Sequence, residues 1–173
     1  MRMPSLSDLD MKQERVYLNA PTDGVIMVKG PPGSGKTIMA FYRSMILSDK
    51  GTRISILMYN KVLSRYIAST ETGESRETLE RVTVSTKDSW SFSWWREAYG
   101  HRAKPPLEDT PNYFKPVDWE QVAQYVHKEQ DPGKLEHLNW GHLVIDEGQD
   151  FYRGFYQALN FMRLRSWPRG APG

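Results

Sequence analysis

Apolar positions along this chain follow two rhythms that alternate from one segment to the next. The run "GVIMVKG", residues 24 to 30, is apolar and bounded by glycines, which predicts a buried strand. "TIMAFYRSMILSDKG" then places its apolar residues at helical spacing and ends at Gly51, a natural left-handed stop. "RISILMYN" predicts a second strand and "KVLSRYIAS" a helix after it, whereas residues 70 to 78, "TETGESRET", are polar and read as a loop. "RVTVST" alternates as a third strand. Lys87 to Gly100, "KDSWSFSWWREAYG", reads as a helix, followed by the proline-rich "HRAKPPLEDTPNYFKP" and by a helix "VDWEQVAQYVHKEQ" that ends at "DPG". A buried strand "HLVID" and a helix "FYQALNFMRLR" complete the series. At the other end, residues 9 to 19 suit a short helix that Pro21 closes, because proline disfavours helical geometry in the residue before it.

Strands alternating with helices, through connections too long for hairpins, imply an α/β fold with a central, mainly parallel sheet covered on both faces. Ligands in such sheets sit at the carboxyl ends of the strands. With 173 residues the chain suits a single domain, in which residues 87 to 138 form a helical insertion and residues 166 to 173 a loose tail.

Composition alters this picture little. The chain is 39% hydrophobic and 25% charged, near the average of globular proteins, and has no cysteine, which removes disulfides and thiolate metal sites. No apolar run reaches the roughly 20 residues that cross a bilayer, and the acidic N-terminus lacks a signal core, so a cytoplasmic protein is expected. A net charge of +2 does not by itself announce nucleic-acid binding. Arg153, Arg163, Arg165 and Arg169 make the end basic, which suits a solvated helix face as well as an anionic partner. The four histidines show no ligand spacing.

Two stretches carry chemistry. Gly30 to Thr37 reads G-P-P-G-S-G-K-T and fits G-x-x-x-x-G-K-[ST], between a predicted strand and a predicted helix. Gly30, Gly33, Ser34 and Gly35 would fold the backbone so that successive amides face one concavity, to which the following helix adds its positive end. That is a cradle for the phosphates of ATP. Lys36 would reach the β- and γ-phosphates, and Thr37 would coordinate Mg2+. Downstream, the strand ending at Ile145 presents Asp146, which suits the same magnesium, and Glu147, which suits orienting or deprotonating the attacking water.

Asp146 to Asp150, D-E-G-Q-D, resembles the D-E-x-Q-D box of superfamily 1 DNA helicases of the UvrD/Rep type. "DMKQERVYLNAP" resembles the Q motif of that family, "LMYNKVLSRYI" its motif Ia, and "VSTKDSW", more loosely, its motif Ib. The likeness runs from about residue 8 to 162 and covers the first RecA-like domain only. It implies a P-loop NTPase fold, a RecA-like three-layer sandwich, with Gln13 on the adenine and Gln149 sensing the γ-phosphate and the attacking water. It also implies a path for single-stranded DNA along motifs Ia and Ib, involving Asn60, Lys61, Ser85 and Trp90. Bland roles stand beside these. Gln13 suits solvent on a short helix, Asn60 suits a helix cap, and Gly148 stands where the family commonly has a side chain, which loosens the backbone beside Glu147.

Trp90, Phe92, Trp94, Trp95 and Tyr99 suit base stacking, yet indoles also dominate cores, and helical spacing puts Trp90 and Trp94 on one face. Most of them read as core. The family's later motifs, with arginines from a second RecA-like domain, have no counterpart within these residues, so weak hydrolysis without unwinding is expected unless a second domain, a partner or self-association completes the site. A P-loop kinase and a non-catalytic regulator with a helicase-like domain are the alternative readings.

Overall fold

The computed structural model describes residues 11–21, 25–49, 53–58, 82–111 and 113–166. The helix expected over 61 to 69, the loop at 70 to 78, Asn60, Lys61 and the tail from 167 lie outside the described residues. The chain divides into two compact units, residues 1–85 with 141–146, and residues 86–140 with 147–173.

The first unit is the α/β part. Helices α1 (Met11–Asn19) and α2 (Lys36–Asp49) precede strand β1 (Ile54–Met58), and strands β2 (Val82–Thr86) and β3 (His142–Ile145) complete a three-stranded sheet in the order β2-β1-β3. β1 and β3 run parallel, with Ile54 opposite His142 and Leu57 opposite Ile145. As the central strand, β1 is buried at all five positions, as expected for a strand of a parallel sheet covered on both faces. Phe41, Tyr42 and Met45 of α2 pack with Ile56 and Met58, and Val82, Val84 and Val144 border the same cluster. These α2 positions recur at intervals of one, three and four residues, the face that the apolar spacing marked.

One expected strand is not formed. Residues 25 to 30 have no assigned secondary structure, and Val25 and Met27 are 83% and 74% exposed. With Arg15, Asn19 and Ala20 of the α1 region, Ile26 to Lys29 line an open groove of about 450 Å³. The physical reason is that strand character belongs to the ladder rather than to the run, and among the described residues β3, at the sheet edge, pairs with β1 alone. An apolar run states a preference for burial without naming a neighbour.

The second unit is helical, comprising α3 (Lys87–Tyr99), α4 (Trp119–Lys128), α5 (Pro132–Leu138) and α6 (Arg153–Ser166). Three of its helices start at side-chain caps: Thr86 accepts from Ser89 N–H, Asp118 from Gln121 N–H, and Asp131 from the N–H groups of Gly133 and Lys134. α5 was not anticipated. The "DPG" that reads as a stop is also a start, with Asp131 as the cap and Pro132 in the first turn.

The core of this unit is aromatic. Trp90 and Trp94 stack at 5.4 Å and 7°, both lie near-parallel to Trp119, and the fully buried Phe155 meets Trp119 edge-on at 4.7 Å. The Trp94 indole N–H is satisfied by the Leu138 carbonyl at 3.1 Å. α4 buries Trp119, Val122 and Val126, one helical stripe. Between α3 and α4 the proline-rich segment closes on itself through an antiparallel bridge of Leu107 with Val117. Among the described residues no helix is long and apolar enough to cross a membrane.

Candidate functional site

The turn from Gly30 to Lys36 takes its shape from glycine. Ser34 N–H donates to the Pro31 carbonyl at 3.3 Å, and Gly33 and Gly35 both have φ of +76°. A residue with a Cβ is strained at that angle. At Gly35 a Cβ would also stand 2.8 Å from Gln13 Nε2, and at Gly30 2.7 Å from Ser34 Oγ. Gly35→Ala is therefore expected to cost about 1–2 kcal/mol, read in thermal unfolding as a Tm lower by about 2–8 °C. An unchanged Tm would mean that the loop does not need this backbone angle.

α2 begins directly at this turn, with its first bond running from Met39 N–H to the Gly35 carbonyl at 2.9 Å. Its amino end therefore carries the free N–H groups and partial positive charge of a helix start. Lys36 folds back, its ammonium donating to the carbonyls of Gly30 at 3.1 Å and Pro31 at 3.0 Å. Ser34 Oγ is buried and has no hydrogen-bond partner among the described residues. A hydroxyl without an acceptor, a cation resting on neutral carbonyls and two left-handed glycines form a donor set that an anion such as a polyphosphate would satisfy.

Gln13 does reach this loop. Its side-chain amide donates to the Ser34 carbonyl at 3.1 Å, so α1 is fastened to the glycine-rich turn rather than presenting Gln13 to solvent.

The sheet then brings in the acidic partner. β3 keeps its register with β1 one residue past its end, where Asp146 N–H donates to the Leu57 carbonyl at 2.9 Å. Asp146 is buried, 8% exposed, and its Oδ2 accepts from the Thr37 hydroxyl at 2.8 Å. The two residues are 109 positions apart in the chain. Together they offer two oxygen ligands, a set that suits Mg2+, which usually binds one or two protein oxygens and completes its shell with water and phosphate. Among the described residues no group of three or more His, Asp or Glu could hold a metal ion by itself.

Glu147, the next residue, begins the second unit and has φ 50° and ψ 44°. Among the described residues it is the sole non-glycine with positive φ, a conformation that costs about 1–2 kcal/mol and concentrates at functional sites. Gly148 to Asp150 continue as a 3-10 turn, closed by Asp150 N–H donating to the Glu147 carbonyl at 2.9 Å. The left-handed angle thus falls on Glu147, beside the glycine expected to loosen this backbone. Gln149 Nε2 donates to Glu147 Oε2 at 2.6 Å, so the amide orients the carboxylate.

The residues expected along a nucleic-acid path are placed differently. Trp90 is 5% exposed, and Trp94 and Trp119 stack against it. This corrects its candidacy as a stacking platform: the ring surface a base would need is occupied by other indoles. The Ser85 hydroxyl is buried in β2 without a partner among the described residues, which is no position from which to meet a backbone phosphate. Asn60 and Lys61 lie outside the described residues. Compared with protein-family models, curated proteins and solved structures, the chain matches none of them.

Proposed function

We propose that this chain is a magnesium-dependent ATP-binding domain of the P-loop NTPase, RecA-like kind, from a superfamily 1 helicase-like protein acting on single-stranded DNA. One observation carries the reading: the Thr37 hydroxyl meets the Asp146 carboxylate at 2.8 Å. Two motifs chosen separately, for a phosphate cradle and for a magnesium carboxylate, converge at the residues that would share the ion. Coincidence across that much chain is a demanding requirement, because β3 must hold register and α2 must start in place.

On this reading Lys36, the amides of the Gly30–Lys36 turn and the amino end of α2 bind the phosphates. Thr37 and Asp146 hold magnesium, which when bound neutralises phosphate charge. Gln13 supports the turn and lies beside the base, Glu147 accepts the proton of the attacking water, and Gln149 sets the Glu147 carboxylate. The nucleic-acid part rests on the resemblance of residues 57 to 67 to motif Ia.

Binding should outrun turnover. Lys36 is engaged with the loop's own carbonyls and Glu147 with Gln149, so both groups must exchange partners before hydrolysis. The test is calorimetry of the purified chain with ATP, with and without magnesium, followed by hydrolysis with and without single-stranded DNA. Binding that disappears on chelating magnesium, with slow turnover raised by DNA, is the expected result. No nucleotide binding in magnesium would overturn the reading, and turnover that demands a small-molecule acceptor would replace it with a phosphotransferase.

A further inference from the structure

Gly148 is the weak point of the turn that carries Glu147. Glycine has the widest choice of backbone angles of any residue, and here it directly follows the strained position. Left alone, such a glycine would let the Glu147 backbone relax out of the left-handed region. One side chain from outside the turn opposes this. The Tyr156 hydroxyl, on α6, donates to the Gly148 carbonyl at 2.6 Å, and the same carbonyl accepts from Phe151 N–H at 3.3 Å. Both lone-pair directions of the carbonyl are then used, and the peptide that follows Gly148 cannot rotate without losing two bonds.

The grip is only as firm as the tyrosine, and the tyrosine is anchored. Its ring packs edge-on against Phe155 at 5.5 Å and more loosely against Phe151 at 6.5 Å. Phe155 is fully buried and set edge-on against Trp119. A line of packed rings therefore runs from the aromatic core of the helical unit to the peptide after Gly148. Partial burial raises the Tyr156 phenol above its ordinary value, although the residue as a whole is 37% exposed.

We propose that Tyr156 is a positioning residue for Glu147, removing through its bond to Gly148 the freedom that glycine introduces beside the catalytic carboxylate. The proposal rests on the ATP-hydrolysis reading for its catalytic consequence, and on backbone geometry alone for the tether. Gln149 and Tyr156 divide the work, the amide setting the carboxylate and the phenol setting the backbone beneath it.

The decisive variant is Tyr156→Phe, which keeps the ring against Phe155 and removes only the donor. Single-turnover hydrolysis of ATP, with the full chain in excess, should slow by about tenfold, the scale of one lost hydrogen bond. The Kd for magnesium-ATP and the Tm should stay where they were. Exchange of the Asp150 and Phe151 amides, which close the turn, should quicken in hydrogen-exchange measurements. Adding Gly148→Ala, which narrows the backbone at a residue outside the positive-φ glycines, should restore both rate and protection. A rate and an exchange profile identical to those of the parent overturn the proposal. So does a slower rate that tracks a fallen Tm and is not restored by Gly148→Ala, since that is lost packing. If the parent chain shows no turnover at all, the ATPase reading fails, and the exchange comparison decides the tether by itself: faster exchange restored by Gly148→Ala upholds it, and unchanged exchange removes it.

Discussion

Glu147→Gln is expected to bind magnesium-ATP as the parent chain does and to lose turnover by roughly 10²–10⁴-fold, the contribution of a positioned general base. The amide has the shape of the carboxylate and can still accept from Gln149, so the 2.6 Å contact between the two side chains survives. What it cannot do is take a proton from water. Glu147 is exposed, and its backbone already occupies the left-handed angle, so neither burial nor strain changes with the substitution. Stability should therefore stay within about 0.5 kcal/mol, the usual range for a surface substitution. Calorimetric Kd, Tm and a single-turnover rate on the same preparation check all three statements. A variant with the parent's rate would show that this carboxylate is not the base.

Lys36→Ala is expected to do the opposite, weakening magnesium-ATP binding at least ~100-fold while the domain stays folded. Charge-assisted hydrogen bonds are worth about 1.5–3 kcal/mol each, and the lysine is expected to make more than one to the β- and γ-phosphates. The fold has little to lose. In the free chain the ammonium donates to two carbonyls of an exposed turn, at 3.1 and 3.0 Å, and water replaces it there at a cost of about 1 kcal/mol or less. Titration calorimetry against circular-dichroism melting separates the two effects. Retained affinity would refute the phosphate assignment outright, whereas joint loss of affinity and Tm would mean that Lys36 holds the loop together.

These two variants, together with Tyr156→Phe, separate binding, chemistry and alignment. A binding defect with normal melting belongs to the turn at Gly30–Lys36. A pure rate defect belongs to Glu147. A partial rate defect with faster amide exchange belongs to the tether on Gly148.

Much of this site could be read before folding because its parts are local. The glycines at 33 and 35 take left-handed angles that a Cβ resists, and α2 starts where the turn ends, so a short window of residues determines the cradle. The same holds for the helices: Thr86 and Asp118 cap the starts of α3 and α4, and the stripe of Trp119, Val122 and Val126 marks the buried face. α5 was equally local, and the Asp131–Pro132 signal for it was present, masked by a reading of proline and glycine as a stop.

What the chain alone determined, then, is dihedral preference, capping and the periodicity of apolar positions, all of which act over a few residues. Pairing and burial were decided only by the tertiary structure, because each needs a partner far along the chain. "GVIMVKG" has the composition of a strand, yet its Val25–Val28 run stays exposed, and among the described residues β3 pairs with β1 alone. Trp90 has the chemistry of a stacking platform but spends it on Trp94 and Trp119. Tyr156, eight residues after Gly148, carries no motif, and the start of α6 right after the turn brings its hydroxyl to the Gly148 carbonyl. Thr37 and Asp146 meet because the β1–β3 register carries Asp146 to the end of the sheet where α2 begins. Local propensity states which conformations a segment can adopt, and the free energy of burying it against a particular neighbour selects among them.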